Sequence, residues 1–252
     1  MTRSVEIAPR SACASGVSAA QPPASTMSIL LHAALVELNL DVPSADSERL
    51  LFYLDLIARW NRVYNLTAIR EPESMLVQHL FDSLAVAPDL RRRLASSSPR
   101  IVDVGSGAGL PGLPLALIWP QARVHLVEPV GKKAAFLRQA AAAVAPGRVE
   151  VHASRVQDLV GHLQPPDLVI CRAFASLAEF AQAIEPLLGP HTLVAAMKGR
   201  RPDAEIDQLP SRWSVGELLS IQVPRLQAQR HLVILRGPGS AARVDDDRSS
   251  AD

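Results

Sequence analysis

Chemistry in this sequence concentrates in Ile101-Val102-Asp103-Val104-Gly105-Ser106-Gly107-Ala108-Gly109-Leu110-Pro111-Gly112. The first residues read as a short buried strand, the alternating glycines as a turn, and Pro111 with the apolar run after it as the start of a helix. Gly105, Gly107 and Gly109 bring φ > 0 freedom and remove the Cβ atoms that hold a ligand away from the backbone. Strand, glycine turn and helix in this order cradle a nucleotide-like ligand. Glu128, at the end of the next apolar run, adds a carboxylate suited to accepting hydrogen bonds from both hydroxyls of a ribose.

Two cofactor classes compete for such a cradle. Gly107-x-Gly109-x-x-Gly112 satisfies the GxGxxG of dinucleotide binders, and Asp103-x-Gly105-x-Gly107-x-Gly109 satisfies the DxGxGxG of methyl-transfer enzymes. Asp103 separates them. A carboxylate beside the turn opposes a pyrophosphate at a helix N-terminus but suits the ammonium and sulfonium charges of S-adenosylmethionine. No Lys-Ser or Lys-Thr follows the turn, so a P-loop is excluded. A non-catalytic binding module that keeps the cradle as a relic and an NAD-dependent oxidoreductase stand as alternatives; the second lacks a Tyr-Lys or His-Asp pair near the strand ends.

Away from the cradle, His79-x-x-Asp82 sets an imidazole and a carboxylate three apart on a helix, as a packing contact or as part of a site lip. Arg172 ends an apolar run, where crevices open in parallel α/β sheets, and reads as a surface ion pair or a site residue. Trp60, Asn61 and Tyr64 crowd at a helix end and fit core anchors and a cap. Phe174 fits either the core or a stacking platform for a base. The seven histidines show no HxxxH spacing and no clustered ligand set, and two cysteines make no metal pattern, so no metal is expected.

These residues must be positioned by a helical prefix and an α/β body. Apolar periodicity predicts helices over residues 28–40, 45–64 (with Ser44 as a cap) and 72–88. Arg91-Arg92-Arg93 and the Ser-rich segment to Pro99 read as a linker. Strands follow over 101–104, 122–128, 149–152, 167–172 and 192–198, with helices over 132–144 and 177–188 between them, implying a parallel sheet with right-handed crossovers. Residues 214–223 and 231–235 are joined too closely for a crossover helix and should close the sheet as an antiparallel pair. The expected division is a disordered extension (1–26, with Met27 a candidate start), a helical prefix packing on the core (27–98), a cofactor-binding domain (99–239) and a disordered tail (240–252).

Composition bounds the rest. With 252 residues, 48% hydrophobic and 20% charged, the chain suits one main domain, and a formal net charge of +1 leaves any polyanion-binding surface to a local patch. No apolar run approaches the roughly 20 residues that span a bilayer, no secretory signal is present, and two cysteines fit a reducing compartment; a soluble, cytoplasmic protein is expected.

Trp60-Asn61-x-x-Tyr64-Asn65-Leu66-Thr67, His79-x-x-Asp82-Ser83, the glycine turn, Lys132-Lys133-x-x-Phe136-Leu137, Arg172-Ala173-Phe174-Ala175-x-Leu177, Lys198-Gly199 and Arg230-His231-Leu232-Val233 together resemble the ordered motifs of the RsmG family, also called glucose-inhibited division protein B. The resemblance covers about residues 28–237. It implies a Rossmann-like class I methyltransferase fold, a mostly parallel seven-strand sheet with an antiparallel last strand, preceded by the helical extension. It also implies methyl transfer from S-adenosylmethionine to N7 of a guanosine in the decoding-region loop of 16S ribosomal RNA, naked or in the small subunit, by a monomer that needs neither membrane nor metal. By resemblance, Asp103, Gly105, Gly107, Gly109 and Leu110 line the cofactor cradle, Glu128 takes the ribose, and Val156 with Gln157 lie beside the adenine. Arg172 positions the methionine carboxylate or the target base. Asn65, His79, Lys198 and Arg230 contact RNA, with Arg59, Arg62, Arg70, Arg200, Arg201 and Arg225 as further basic groups. Many members carry Asp or Ser where this chain has Glu128.

Overall fold

A computed structural model describes residues 24–240. Most of the extension and tail expected to be disordered, residues 1–23 and 241–252, lies outside the described residues. Seven strands, β1 (Arg100–Val104), β2 (Arg123–Val127), β3 (Val149–His152), β4 (Leu168–Arg172), β5 (Leu193–Lys198), β6 (Ser214–Ser220) and β7 (His231–Arg236), form one sheet in the order β3-β2-β1-β4-β5-β7-β6. The first five are parallel, and β7 runs antiparallel to both β5 and β6. From β1 the chain steps one way to β2 and β3, and from β4 the other way to β5. That reversal opens a crevice at the carboxyl ends of β1 and β4.

Alternation assigns each strand residue to a layer. Ile101, Leu126, Ile170 and Ala195 face the layer of α2 (Ser44–Tyr64), α6 (Gly112–Ile118) and α7 (Gly131–Val144). Val102, Val127, Val169 and Ala196 face α8 (Leu177–Ile184), two 3₁₀ turns (Val156–Leu159 and Glu185–Leu187) and Trp213. The prefix joins the first layer: α1 (Ala24–Glu37) packs on α2, which buries Leu50, Tyr53, Leu54, Leu56 and Ile57. Each such side chain contributes roughly 1.5–3 kcal/mol. Asn65, with φ 49°, ends α2 in the left-handed region. Trp60 lies 5.5 Å from Phe136 of α7 and donates to Gln139 Oε1 at 3.0 Å.

A nearly continuous helical run follows: α3 (Pro72–Met75), a π-helical segment (Leu76–Phe81), α4 (Asp82–Ala85) and α5 (Ala87–Arg93). The Asp82 N–H reaches back five residues to the Val77 carbonyl. This wider turn adds a residue to the helical register, a device common at functional sites.

Several local expectations are corrected. Arg91, Arg92 and Arg93 belong to α5, not to a linker; Arg93 is bound to Glu217 of β6, a tertiary contact that composition cannot reveal. Pro43, not Ser44, occupies the N-cap of α2, and no side chain caps it. The helix begun at Pro72 runs past Pro88 to Arg93, because that proline sits at a helix start, where its missing N–H costs nothing. A short α9 (Asp203–Ile206) was not anticipated.

Candidate active site

The glycine turn is held by its own backbone and by Glu128. Gly105 N–H and Ser106 N–H both donate to the Val127 carbonyl, at 2.9 and 3.1 Å, while Ser106 Oγ donates to the Asp103 carbonyl at 2.8 Å. Glu128 is buried, and its carboxylate accepts from Gly107 N–H and Val130 N–H, both at 2.9 Å, so the end of β2 is tied to the turn. From the prefix, the fully buried Tyr53 hydroxyl donates to the Ala108 carbonyl. Gly105, Gly107 and Gly109 have φ of 70°, 59° and 89°. Their uses differ. Gly105 is exposed, whereas a Cβ on Gly109 would fall 2.7 Å from Leu113, and one on Gly112 2.4 Å from Leu126.

Asp103 lies wholly under this turn, its Oδ2 accepting from Gly112 N–H at 2.9 Å and its Oδ1 buried without a partner. Burial raises its pKa to about 7, against the Gly112 hydrogen bond and the Arg172 charge, which lower it. The carboxylate therefore acts first on the start of α6, from the layer beneath the crevice.

A cavity of about 500 Å³ opens over Gly105. Val104 and Gly105 come to it from β1, Val127 and Pro129 from β2, Arg155, Val156 and Gln157 from the segment after β3, and Phe174 from the turn after β4. Glu179, Gln182 and Ala183 of α8 complete the wall, and mainly apolar surface with a few polar side chains around an exposed glycine backbone suits a flat heterocycle and its ribose. Of the residues assigned to the cofactor, Gly105, Val156 and Gln157 line this cavity. Gly109, Leu110 and Asp103 lie beneath it, Gly107 and Glu128 stand at the β2 end of the turn, and Arg172 faces elsewhere.

A second cavity, of about 340 Å³, gathers His79, Asp82, Arg172, Ala173, Lys198 and Arg230. Asp82 is 5% exposed and bridges two guanidiniums: Oδ2 to Arg172 Nη1 at 3.1 Å and Oδ1 to Arg230 Nε at 2.7 Å. Arg172 Nη1 also donates to the Gln78 carbonyl at 3.0 Å, at the wider helical turn. Lys198 Nζ pairs with Glu205 Oε2 at 2.7 Å. His79 is buried with neither ring nitrogen hydrogen-bonded. Burial, then the Arg172 charge, lowers its pKa to about 4, so it is neutral at pH 7. Ala173 holds φ 57°, a conformation that costs a non-glycine residue on the order of 1–3 kcal/mol, in the turn after β4, whose next residue, Phe174, lines the first cavity.

The fold thus brings His79, Lys198, Arg230 and Arg172 together. Asn65 stands apart, exposed on the loop after α2, its Oδ1 accepting from Arg70 at 2.9 Å. Cys171, buried on β4 with its pKa pushed well up by desolvation, is an inert thiol. The sequence alone does not point to Tyr53, whose place on the apolar stripe of α2 looks like core. One expectation is overturned: the histidines do form a clustered set, because β2 and β3 pair His125 with Glu150 and bring His152 alongside. Ligand spacing along the chain cannot show neighbours across a sheet.

The family described as "GidB: rRNA small subunit methyltransferase G" matches residues 46–233. The chain belongs to this family. It is 44% identical over 201 residues to the Ribosomal RNA small subunit methyltransferase G of an Azoarcus species, covering 80% of this chain and 92% of that one. The protein of the same name from Ralstonia nicotianae is 45% identical over 211 residues, covering 81% and 93%. Among solved structures, a mutant of MtNAS in complex with S-adenosylmethionine superposes with a TM-score of 0.53 at 17% identity, covering 85% of this chain and 89% of that one. That likeness shows the fold alone. A small subunit methyltransferase G family member is a methyltransferase.

Proposed function

We propose that this chain transfers the methyl group of S-adenosylmethionine to N7 of a guanine in the decoding-region loop of 16S ribosomal RNA, with the cofactor in the Gly105 cavity and the target nucleotide in the Arg172 cavity. The observation that carries this reading is the turn after β4: Arg172 and Ala173 line one cavity, and Phe174, the next residue, lines the other. A donor and an acceptor in these two spaces sit on either side of a single turn.

The residues fit the cofactor. Gly105 presents backbone without a side chain, Val156 and Phe174 offer apolar surface for the adenine, and Glu128 spends two lone pairs on amides while keeping others for ribose hydroxyls. Bound there, the cofactor supplies an electrophilic methyl on sulfonium sulfur. Guanine N7 carries an in-plane lone pair and no proton, so the protein has no proton to remove from it. Alignment is the main task, and holding two reactants in line contributes on the order of 7–11 kcal/mol. Arg172 and Arg230, oriented by Asp82, retain further N–H groups for the phosphates or base of a flipped-out nucleotide. Phe174 stacks on a base or on the adenine. With a net charge of only +1, this local cluster must provide much of the RNA affinity, and binding should weaken with salt. The enzyme acts as a monomer in the cytoplasm, on naked RNA or on a small subunit.

Incubation of the purified chain with methyl-labelled cofactor and either 16S RNA or small subunits tests this. Label on a guanine N7 of the decoding-region loop is the expected result. Cofactor binding without incorporation into either substrate would instead make the chain a binding module.

A further inference from the structure

His125 projects from β2 toward the edge strand β3, where Glu150 is its directly paired neighbour and His152 lies one step along the same face. His125 Nδ1 is 3.1 Å from His152 Nε2 and 3.5 Å from Glu150 Oε2, and His152 Nε2 is 3.8 Å from Glu150 Oε1. The two rings lie 29° apart in plane with centroids 5.3 Å apart. Both histidine side chains are largely shielded, at 13% and 14% exposure, whereas Glu150, at 65%, leaves one side open to solvent.

We propose that His125, Glu150 and His152 form a binding site for a divalent first-row transition metal, zinc being the best fit, outside both cavities of the active site. Zinc holds imidazole nitrogen at about 2.0–2.1 Å and carboxylate oxygen at about 2.0–2.2 Å in a tetrahedral array, which places ligand atoms about 3.3 Å from one another. The two imidazole nitrogens stand 3.1 Å apart, each has one Glu150 oxygen within 3.8 Å, and one ligand atom from each of the three residues lies within 4.8 Å of the others, so a small rotation of the exposed Glu150 carboxylate closes the triangle to that edge length. Two imidazoles and one carboxylate make a borderline donor set that favours zinc-class ions over calcium or magnesium, and the open side leaves the fourth position to water. Without a metal the His125–His152 contact uses one proton between two nitrogens. A cation takes both lone pairs, and the proton moves to the other nitrogen of its ring. The site pins an edge strand whose unpaired side is otherwise a liability. It lies close to the cofactor cavity: the His152 carbonyl accepts from Glu128 N–H at 3.0 Å, and Val156 follows His152 by four residues. The proposal holds whether or not the chain methylates RNA.

The test uses the full chain, stripped with chelator and titrated with zinc chloride by calorimetry, and separately with cobalt chloride by visible absorption. One zinc per chain and the intense d–d bands of tetrahedral cobalt are expected. His125→Gln, Glu150→Gln and His152→Gln should each weaken zinc at least about tenfold, since loss of a mere supporting hydrogen bond at a metal site costs ~10- to 100-fold. Glu150 is exposed, so its substitution does not threaten folding. The thermal midpoint should rise with zinc in the native chain and not in the triple variant. Absence of stoichiometric binding, octahedral cobalt spectra, or zinc affinity unchanged in the triple variant would overturn the proposal.

Discussion

The two cavities at the sheet's carboxyl edge are built from different materials. Over Gly105 the floor is backbone and the walls are mainly apolar, with Arg155, Gln157, Glu179 and Gln182 among them, while the carboxyl groups of Asp103 and Glu128 are buried against amides of the turn. Around Arg172 the working parts are side chains from four separate stretches, Arg172 and Arg230 held by Asp82 and Lys198 by Glu205. A cradle of backbone is precise and tolerates changes of charge, but it fails when a Cβ or an altered dihedral intrudes. A cluster of side chains is the reverse: it accommodates changes of shape and fails when one charge is removed. That division matches a small cofactor of fixed shape on one side and a polyanion on the other.

The largest expected effect concerns the buried charge under the cradle. The folded pKa of Asp103, about 7, lies above its ordinary 3.8, so the native state holds a proton that the unfolded chain has lost. The stabilisation this gives is complete below about pH 3.8 and is lost as pH rises through 7, a swing of roughly 4 kcal/mol at most. Urea unfolding of the native chain and of Asp103→Asn should therefore diverge as pH rises, the variant becoming the more stable relative to native. His79 works in the opposite direction, since its depressed pKa costs stability as pH falls from 6.5 toward 4, but it is common to both proteins and cancels. A difference independent of pH would show that Asp103 is not desolvated beneath the turn.

Next is Gly105→Val. A Cβ there meets Phe174 at an ordinary 3.6 Å, so no clash forbids the side chain; it enters the cavity, and its stability cost is the backbone strain of a non-glycine residue at φ 70°, on the order of 1–3 kcal/mol, which the thermal midpoint checks alongside. Cofactor affinity should fall at least about 100-fold, or about 2.7 kcal/mol, by calorimetry. Retained affinity would remove the cradle from the cofactor's site. The corresponding change in the second cavity is Asp82→Asn, which leaves Arg172 and Arg230 without their shared carboxylate. Both guanidiniums are partly solvated, so about 2 kcal/mol of stability should be lost rather than the larger penalty of a dry site. Cofactor affinity should stay within about threefold while methyl transfer falls steeply; equal losses in both would mean the cavities are not separable.

The same contrast explains what could be read before the fold was known. The cradle is local: Asp103 to Gly112 is one strand end and one turn, and Gly105 and Glu128 are legible because their spacing is set by a single βαβ unit. The second cavity is not local. Arg172 and Asp82 are 90 residues apart and Arg230 and Asp82 are 148 apart, so the residues were recognisable by resemblance but their mutual pairing was not. Tyr53 was hidden by its own amphipathic helix, because a hydroxyl on an apolar stripe shows no partner until α6 is packed against it. His125, Glu150 and His152 were hidden by strand register, which a search for fixed ligand spacing does not test. The parallel pairing of the first five strands and the closing antiparallel pair followed from element lengths and the short 224–230 connection, whereas the strand order did not. The linker misread at Arg91–Arg93 shows the limit of composition where a tertiary ion pair decides.

The most direct test of the division between the cavities is Arg172→Gln, examined with two readouts on the same preparation: cofactor affinity by calorimetry and single-turnover methyl transfer to 16S RNA. If Arg172 serves the acceptor, affinity stays within about threefold of native while transfer falls at least about 100-fold, about 2.7 kcal/mol of lost transition-state stabilisation. A loss of cofactor affinity as large as the loss of transfer would place Arg172 on the cofactor and contradict the account.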